Sequence, residues 1–274
     1  GETAEDTYYV ERAFAAAADS RLVAARSVTR DRLSDADVAR SDLIVLCNVS
    51  RPSPGQVAAV RDRVRRGGGA LIFPGERIDV AYYNQRVLPD LLPLKLTALR
   101  GTPGRASAYR GLGAVEMDHP LFRDLLPAKF AAPRFYASYD VERQDLTAQA
   151  DGLRTVARYG DGGAALCEGR LGTGRVLLLT SAVDLRWSDL PLRGMFVPLL
   201  HRMAQYAVAH TPTFEAYTVG QTAERPVSGD GETAEVVSPD GSSRTVRAGV
   251  SGGGEVYSIG PLETPRIWRI RAGG

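Results

Sequence analysis

The chain has 274 residues, of which 44% are apolar and 24% are charged. This composition excludes a disordered or coiled-coil protein and allows a large buried core. With 34 basic and 32 acidic side chains, the net charge is +2, so charge gives no reason to expect nucleic acid or an anionic membrane surface as a partner. All basic residues except Lys95 and Lys129 are arginines. Because these arginines are scattered along the sequence, we interpret them as a composition bias and expect no ligand from them.

The cysteines and histidines do not form a recognisable site. Cys47 and Cys167 lie within apolar runs and form no Cys-x-x-Cys pair, which predicts small buried side chains. His119, His201 and His210 are isolated from one another, and with the cysteines they do not supply the four ligands of a zinc site. We therefore predict no metal and no cofactor, and a metal site built from carboxylates stays an open alternative.

The N-terminal part of the chain predicts alternating helices and strands. Apolar residues at helical spacing predict an amphipathic helix over residues 6–18, and a weak strand follows over 22–28. Residues 42–50, DLIVLCNVS, contain an apolar run typical of a strand that is buried on both faces.

The next helix has the clearest sequence signal. Ser53 is the expected N-cap, Pro54 the first helical residue, Gln56 completes a capping box and Gly67 follows the last turn. A second buried strand, ALIF, follows at 70–73. Strand, helix and strand therefore follow one another at the spacing of a parallel crossover unit.

The rest of the chain predicts a long loop region and then more strands. Residues 74–117 are rich in glycine, proline and tyrosine and predict an excursion over the strand ends, with a short helix near 87–96. A capped short helix is expected over 118–126. We expect three strands of an antiparallel meander at 153–159, 163–169 and 174–182, and the last of them re-enters the main sheet. An apolar helix is expected at 196–209. Beyond 211, short alternating segments separated by PDG and GGG turns predict a small β-sandwich.

Several of these segments, in this order, resemble class I glutamine amidotransferase-like domains. They are LIVLCN, VRRGGGALIFPG, DHPLF, GTGRVLLLTS and DLRWSDLPL. The resemblance is greatest to the copy of that domain in bacterial membrane proteins of the aerotolerance-regulator type, which carry a von Willebrand A-like module. It covers about residues 1–210 and implies a flavodoxin-like, doubly wound, mostly parallel α/β sheet with an antiparallel extension, whose first strand would lie upstream of Gly1. The segment 211–274 would be the small β-sandwich domain.

The resemblance also implies that this copy is not catalytic. Active members place a cysteine in a Gly-x-Cys-x-Gly turn after the strand and use a His-x-Glu pair as its partner. The matching stretch, 73–78, contains no Cys, Ser or Thr, and no His-x-Glu occurs in the chain. Pro74 also removes a backbone N–H that an oxyanion hole could have used. Cys47 could act as a displaced nucleophile, but a buried strand cysteine is the interpretation that we favour.

We expect any ligand to bind in a crevice at the strand ends. The candidate crevice residues are Asn48, Glu76, Arg77, Asp79, Asp184 and Trp187. Trp187 is the best candidate for an exposed recognition element, although packing over the final helix is the interpretation that we favour.

The predicted function is that of a non-catalytic, degenerate module of a bacterial cell-envelope membrane protein that serves binding or assembly. Its partners would be protein modules of the same or a neighbouring envelope protein, not nucleic acid. It would lie in the periplasm and be attached to the membrane through segments outside this chain. Two alternatives stay open. One is a hydrolase or amidotransferase that uses Asn48, Glu76 and Asp184. The other is a glycan-binding module that uses aromatic side chains, namely Tyr82, Tyr83, Tyr109 and Trp187.

Overall fold

The computed structural model describes residues 1–16, 25–123, 125, 132–143, 152–208, 219–226, 233–238, 240, 242–251, 254–262 and 269–272. The chain divides into two compact units, Gly1–Thr211 and Pro212–Gly274. The described α-helices are α1 (Ala4–Ala15), α2 (Asp35–Arg40), α3 (Pro54–Arg65), α4 (Val80–Tyr82), α5 (Leu88–Leu91) and α6 (Phe196–Ala207). A π-helical turn spans Tyr83–Val87, and 3₁₀ turns span Arg30–Arg32 and Leu190–Leu192.

The described strands of the first unit are β1 (Leu43–Cys47), β2 (Gly69–Phe73), β3 (Leu94–Gly101), β4 (Arg110–Val115), β5 (Arg134–Phe135), β6 (Ala137–Arg143), β7 (Arg154–Tyr159), β8 (Ala164–Leu171) and β9 (Gly174–Leu179). Those of the second unit are β10 (Ala223–Pro226), β11 (Thr233–Val237), β12 (Ser243–Ser251), β13 (Gly254–Ile259) and β14 (Arg269–Ala272).

The main sheet of the first unit is mixed. Its strand order is β1-β2-β9-β8-β7-β4-β5, and β3 pairs with β6 in a separate two-stranded sheet. Among the described strands of this sheet, the pairs β1–β2 and β2–β9 are parallel, while β9–β8, β8–β7, β7–β4 and β4–β5 are antiparallel. The predicted α/β class is confirmed, but the mostly parallel, flavodoxin-like winding is not. The short turns that join β7, β8 and β9 leave no room for the crossover that parallel strands need.

Two apolar layers cover the main sheet. Along β2, Leu71 and Phe73 belong to the core cluster that contains α1 and α6. Ala70 and Ile72 belong to the cluster that contains α3 and the segment 78–92. Successive side chains of a strand point to opposite faces, so a strand covered on both faces needs an unbroken apolar run. This is why ALIF could be recognised as a buried strand.

The helix that follows β1 begins as the sequence predicts. The backbone N–H of Gln56 donates to Ser53 Oγ at 3.2 Å, and the N–H of Ser53 donates to Gln56 Oε1 at 3.0 Å. Gly67 adopts a φ of 95° just beyond the helix, a conformation that glycine reaches without a Cβ clash. Towards the N-terminus, α1 forms where the first helix was predicted. Of the weak strand predicted over 22–28, residues 22–24 lie outside the described residues, and residues 25–28 form no strand.

The region 74–117 differs from its prediction as a loop excursion. It contains β3 and β4 in addition to the short helices. In β3, only Leu94 and Leu96 are buried, and the other residues are exposed. The two-residue alternation that marks a half-buried strand therefore ends after three positions, which is too short a signal to be recognised.

The described strands of the second unit form one antiparallel sheet. Its order is β10-β13-β12-β11-β14, and a small apolar core contains Ala223, Val236, Ile259 and Leu262. In the first of the alternating segments predicted beyond 211, EAYTV at 215–219, residues 215–218 lie outside the described residues and Val219 forms part of a turn. Folding of this sheet into a sandwich stays a prediction.

Candidate functional site

The predicted crevice lies where the three parallel strands end. Asn48 directly follows β1, Glu76 and Arg77 follow β2, and Asp184 follows β9 by five residues. Because β1, β2 and β9 are adjacent and parallel, their carboxyl ends share one edge of the sheet. We call the region of the predicted site residues at this edge the strand-end crevice.

Asn48 connects the ends of β1 and β2 to α1. Its φ of 48° lies in the left-handed region, which non-glycine residues adopt at a cost. Its amide group is used at both ends: Nδ2 donates to Asp6 Oδ1 at 2.9 Å, and Oδ1 accepts from the backbone N–H of Arg77 at 2.9 Å. A Cβ on Gly75 would lie 2.5 Å from the Asn48 side chain. Asn48 therefore holds the turn after β2 in place, and that turn requires glycine.

Asp6 was not among the predicted site residues, yet it is the centre of this network. Its carboxylate accepts hydrogen bonds from the backbone N–H groups of Glu2 and Thr3 at 3.1 and 2.8 Å, and it forms an ion pair with Arg77 at 2.7 Å. Burial alone would raise the pKa of Asp6, but hydrogen bonds from Asn48 and Thr3 and the charge of Arg77 lower it below its ordinary value. The carboxylate is therefore a fixed, satisfied charge.

The remaining predicted acids also have partners within the chain. Glu76 Oε1 accepts from Arg186 Nη1 at 2.5 Å. Asp79 accepts from the backbone N–H of Tyr82 at 2.9 Å and from Arg51 Nε at 2.8 Å, so it caps α4. These hydrogen bonds, the one from Tyr82 first, lower the pKa of Asp79.

Asp184 stabilises the turn after β9 and has a different electrostatic environment. It accepts from the backbone N–H groups of Arg186 at 2.9 Å and Trp187 at 3.1 Å. Burial is the largest influence on its carboxyl group and raises its pKa, and the nearby charge of Glu76 acts in the same direction. The predicted grouping of Asn48, Glu76 and Asp184 as one reactive set is not visible in these contacts, since each has its own partners.

Trp187 is a core residue and not an exposed recognition element. Its side chain is 1% exposed, and its ring lies 5.6 Å from that of Tyr139. It belongs to the core cluster on the α3 face of the sheet, so it does not pack over α6 as we expected. Tyr83 is equally buried. An aromatic platform for a glycan would therefore lack two of its four predicted members.

Neither cysteine is placed to act as a nucleophile. Both thiols are buried, and burial raises the pKa of Cys47 to about 12 and that of Cys167 to about 11. A thiol attacks as its thiolate, which these surroundings disfavour at neutral pH.

A buried pair that the sequence did not reveal joins His119 and Glu168. His119 Nε2 lies 3.3 Å from the Glu168 carboxylate, and its Nδ1 accepts from the backbone N–H of Leu121 at 3.3 Å. The ring of Tyr206 packs edge-on against the imidazole at 4.9 Å. The two partners are 49 residues apart, so no local motif could have indicated them.

The chain is similar in structure to several solved proteins. No protein-family model matches it, and no curated sequence does. STM3548, a cytoplasmic protein from Salmonella typhimurium, matches with a TM-score of 0.57 and 16% identity over 73% of this chain and 86% of its own. STM1381 from the same species matches with a TM-score of 0.53 and 16% identity over 75% of this chain and 86% of its own. A putative ThuA-like protein from Bacteroides uniformis matches with a TM-score of 0.53 and 12% identity over 75% of this chain and 86% of its own. At these identities the similarity shows the α/β fold alone.

These comparisons contradict the predicted location. The resemblance to an envelope protein implied a periplasmic part of a bacterial inner-membrane protein, whereas the two similar Salmonella structures are described as cytoplasmic proteins. That prediction is therefore wrong. Among the described residues, no helix combines the length and the apolar character needed to cross a membrane.

Proposed function

We propose that the first unit is a non-catalytic, degenerate amidotransferase-like module that serves binding or assembly. One observation carries this proposal: the polar groups of the strand-end crevice bind one another. Asp6 holds Asn48 and Arg77, and Arg186 holds Glu76. On the flavodoxin-like interpretation of the three parallel strands, this edge is where a substrate would bind. Groups that act on a substrate must be able to reach it, whereas these are engaged within the chain.

The hydroxyl groups at the end of β9 support the same proposal. Ser181 Oγ donates to the carbonyl of Ala137 at 2.8 Å, and Thr180 Oγ1 donates to that of Ala164 at 2.9 Å. Both residues are completely buried. A nucleophilic hydroxyl needs a neighbouring base and an open approach, and neither feature is present at these two residues. The alternative of a hydrolase with unorthodox residues therefore has less support.

An assay of the full chain tests this proposal. Ammonia release from glutamine is measured for the native protein and for the same protein unfolded by heat. In parallel, iodoacetamide labelling is measured in buffer and in guanidinium chloride. We expect the native and the heat-unfolded protein to release ammonia at the same background rate. We also expect iodoacetamide to leave the native chain unlabelled and to label both cysteines after unfolding. Ammonia release by the native chain above that background would overturn the proposal, and its loss in Cys47→Ala would identify the nucleophile.

A further inference from the structure

A concave region lies at the opposite edge of the main sheet, near the amino end of β9. It is a pocket of about 830 Å³, within the size range of small-molecule sites. The charged and aromatic side chains that line it are Arg65, Arg154, Glu168, Arg170, Arg175 and Tyr206. We call it the arginine pocket. Its lining contains four guanidinium groups and a single carboxylate.

The sheet register places three of these arginines on one face. Arg170 of β8 lies directly opposite Arg175 of β9, and Glu168, two residues before Arg170, lies opposite Arg154 of β7. Residues two apart on a strand and residues opposite each other share a face. Two like charges directly across a strand pair destabilise the sheet. The pairing of Arg170 with Arg175 is therefore unfavourable unless an anion lies between them.

The fourth arginine is brought to the pocket by a fixed contact between α3 and the β8–β9 turn. The backbone N–H and the hydroxyl of Thr173 both donate to the carbonyl of Arg65 at 3.1 Å. Gly172, in the same turn, has a φ of 62°, and a Cβ there would lie 2.5 Å from that carbonyl. Only glycine fits this close approach, so the turn holds the end of α3 beside the pocket.

The four arginines differ in how far the chain satisfies them. Arg175 donates to the carbonyl of Tyr206 at 3.0 Å and stacks on its ring at 4.5 Å, while its buried Nε has no hydrogen-bond partner. Arg154 forms an ion pair with Glu116. Arg65 and Arg170 are exposed, and within the described part of the chain their side chains have no ion pair or hydrogen bond. The carboxylate of the lining, Glu168, already faces His119.

We infer that the arginine pocket binds a phosphorylated small molecule. Guanidinium groups match the oxygens of a phosphate with paired hydrogen bonds, and they stay charged at all relevant pH values. A phosphate between Arg170 and Arg175 would neutralise the opposed charges. The pocket is larger than one phosphate, which leaves room for the rest of such a molecule. This site is separate from the strand-end crevice, so it does not depend on the proposed function.

Calorimetric titration of the full chain with pyrophosphate tests the inference. In low-salt buffer we expect one saturable site, with weaker binding of citrate, whose carboxylates carry similar charge in a different geometry. Arg170→Gln and Arg65→Gln should each weaken pyrophosphate binding by about tenfold or more, since each removes a charged hydrogen bond. Arg170→Lys keeps the positive charge but cannot form the paired hydrogen bonds of a guanidinium group. Its affinity for pyrophosphate should therefore lie between those of wild type and Arg170→Gln.

Arg86→Gln is the matched control. Arg86 is exposed on the π-helical turn and does not line the pocket, so its loss changes the net charge equally and should leave binding unchanged. Because Arg65 and Arg170 are also exposed, the variants should fold, which circular dichroism checks. The inference is overturned if pyrophosphate gives no saturable heat, if citrate binds equally well, or if Arg86→Gln weakens binding as much as Arg170→Gln.

Discussion

The two edges of the main sheet differ in how their charged groups are satisfied. At the strand-end crevice, Asp6 pairs with Arg77 and Glu76 pairs with Arg186. At the arginine pocket, Arg65 and Arg170 are exposed and have no such partner among the described residues. At the carboxyl ends of the three parallel strands, the charged groups of the strand-end crevice form intramolecular pairs. The two edges therefore differ in the availability of their charged groups, and both of our proposals depend on this difference.

The largest expected effect is the loss of stability in Trp187→Ala. Removing a buried tryptophan costs about 3–5 kcal/mol of unfolding free energy, because the side chain is 1% exposed. Leu192→Ala, a change in the same loop at a residue that is 67% exposed, should cost less than about 0.5 kcal/mol. Guanidinium unfolding followed by circular dichroism measures both. An unchanged midpoint for Trp187→Ala would restore Trp187 as a candidate for recognition.

Asn48→Ala should have the next largest effect. It removes one of the hydrogen bonds to Asp6 and leaves the N–H of Arg77 without its acceptor, at about 1–3 kcal/mol. It also forces alanine into the left-handed region, at about 1–2 kcal/mol more. Asn48→Gly loses the same hydrogen bonds without the backbone cost, so the difference in unfolding free energy between the two variants isolates the strain. Equal stability of Asn48→Ala and wild type would contradict the structural role of this amide.

The pKa of Asp6 predicts a dependence of stability on pH. Since the folded state lowers this pKa, its contribution to stability is complete above the unfolded value of about 3.9 and is lost as the pH falls through the lower folded value. The unfolding free energy should therefore decrease less between pH 5 and pH 2.5 in Asp6→Asn than in wild type. Asp35→Asn, at an exposed residue of α2, should keep the wild-type slope. The same dependence of unfolding free energy on pH in all three proteins would show that the Asp6 network makes no net contribution to stability.

The smallest effects concern single arginines at the two edges. Arg77→Gln removes the ion pair of a carboxylate that is 5% exposed and should destabilise the protein by about 1–2 kcal/mol. Arg170→Gln removes one of two opposed positive charges and should change stability by less than about 0.5 kcal/mol, in the stabilising direction. Thermal melts at low salt compare the two variants. Destabilisation of equal size in the two variants would mean that Arg77 and Arg170 are paired equally well within the chain, which would contradict the difference between the two edges.

Local patterns in the sequence predicted several of the regular elements, but the short helix expected over 118–126 is wrong, because its described residues form turns and a bend. Ser53, Pro54 and Gly67 indicated the limits of α3, because capping involves residues a few positions apart. The apolar runs within 42–50 and at 70–73 indicated β1 and β2. By contrast, β3 pairs with β6 about forty residues away, and the alternation within β3 is short, so nothing local distinguished it from a loop.

The candidate sites depended on contacts that the sequence does not show. Asn48 and Arg77 were predicted to lie in the crevice, but their common partner Asp6 had the appearance of an ordinary acidic residue in the first turn of a helix. The arginines were interpreted as a composition bias. Arg65 and Arg170 come together only through strand register and the β8–β9 turn, and these are properties of the folded chain.

The most direct test of the difference between the two edges is a pyrophosphate titration of ¹⁵N-labelled full chain, followed by NMR at the arginine Nε–H groups. We expect saturable shifts at Arg65, Arg170 and Arg175 and unchanged signals from Arg77 and Arg186. Shifts at Arg77 and Arg186 with none at Arg170 would contradict this expectation, because the strand-end crevice would then be the edge that is open to ligands.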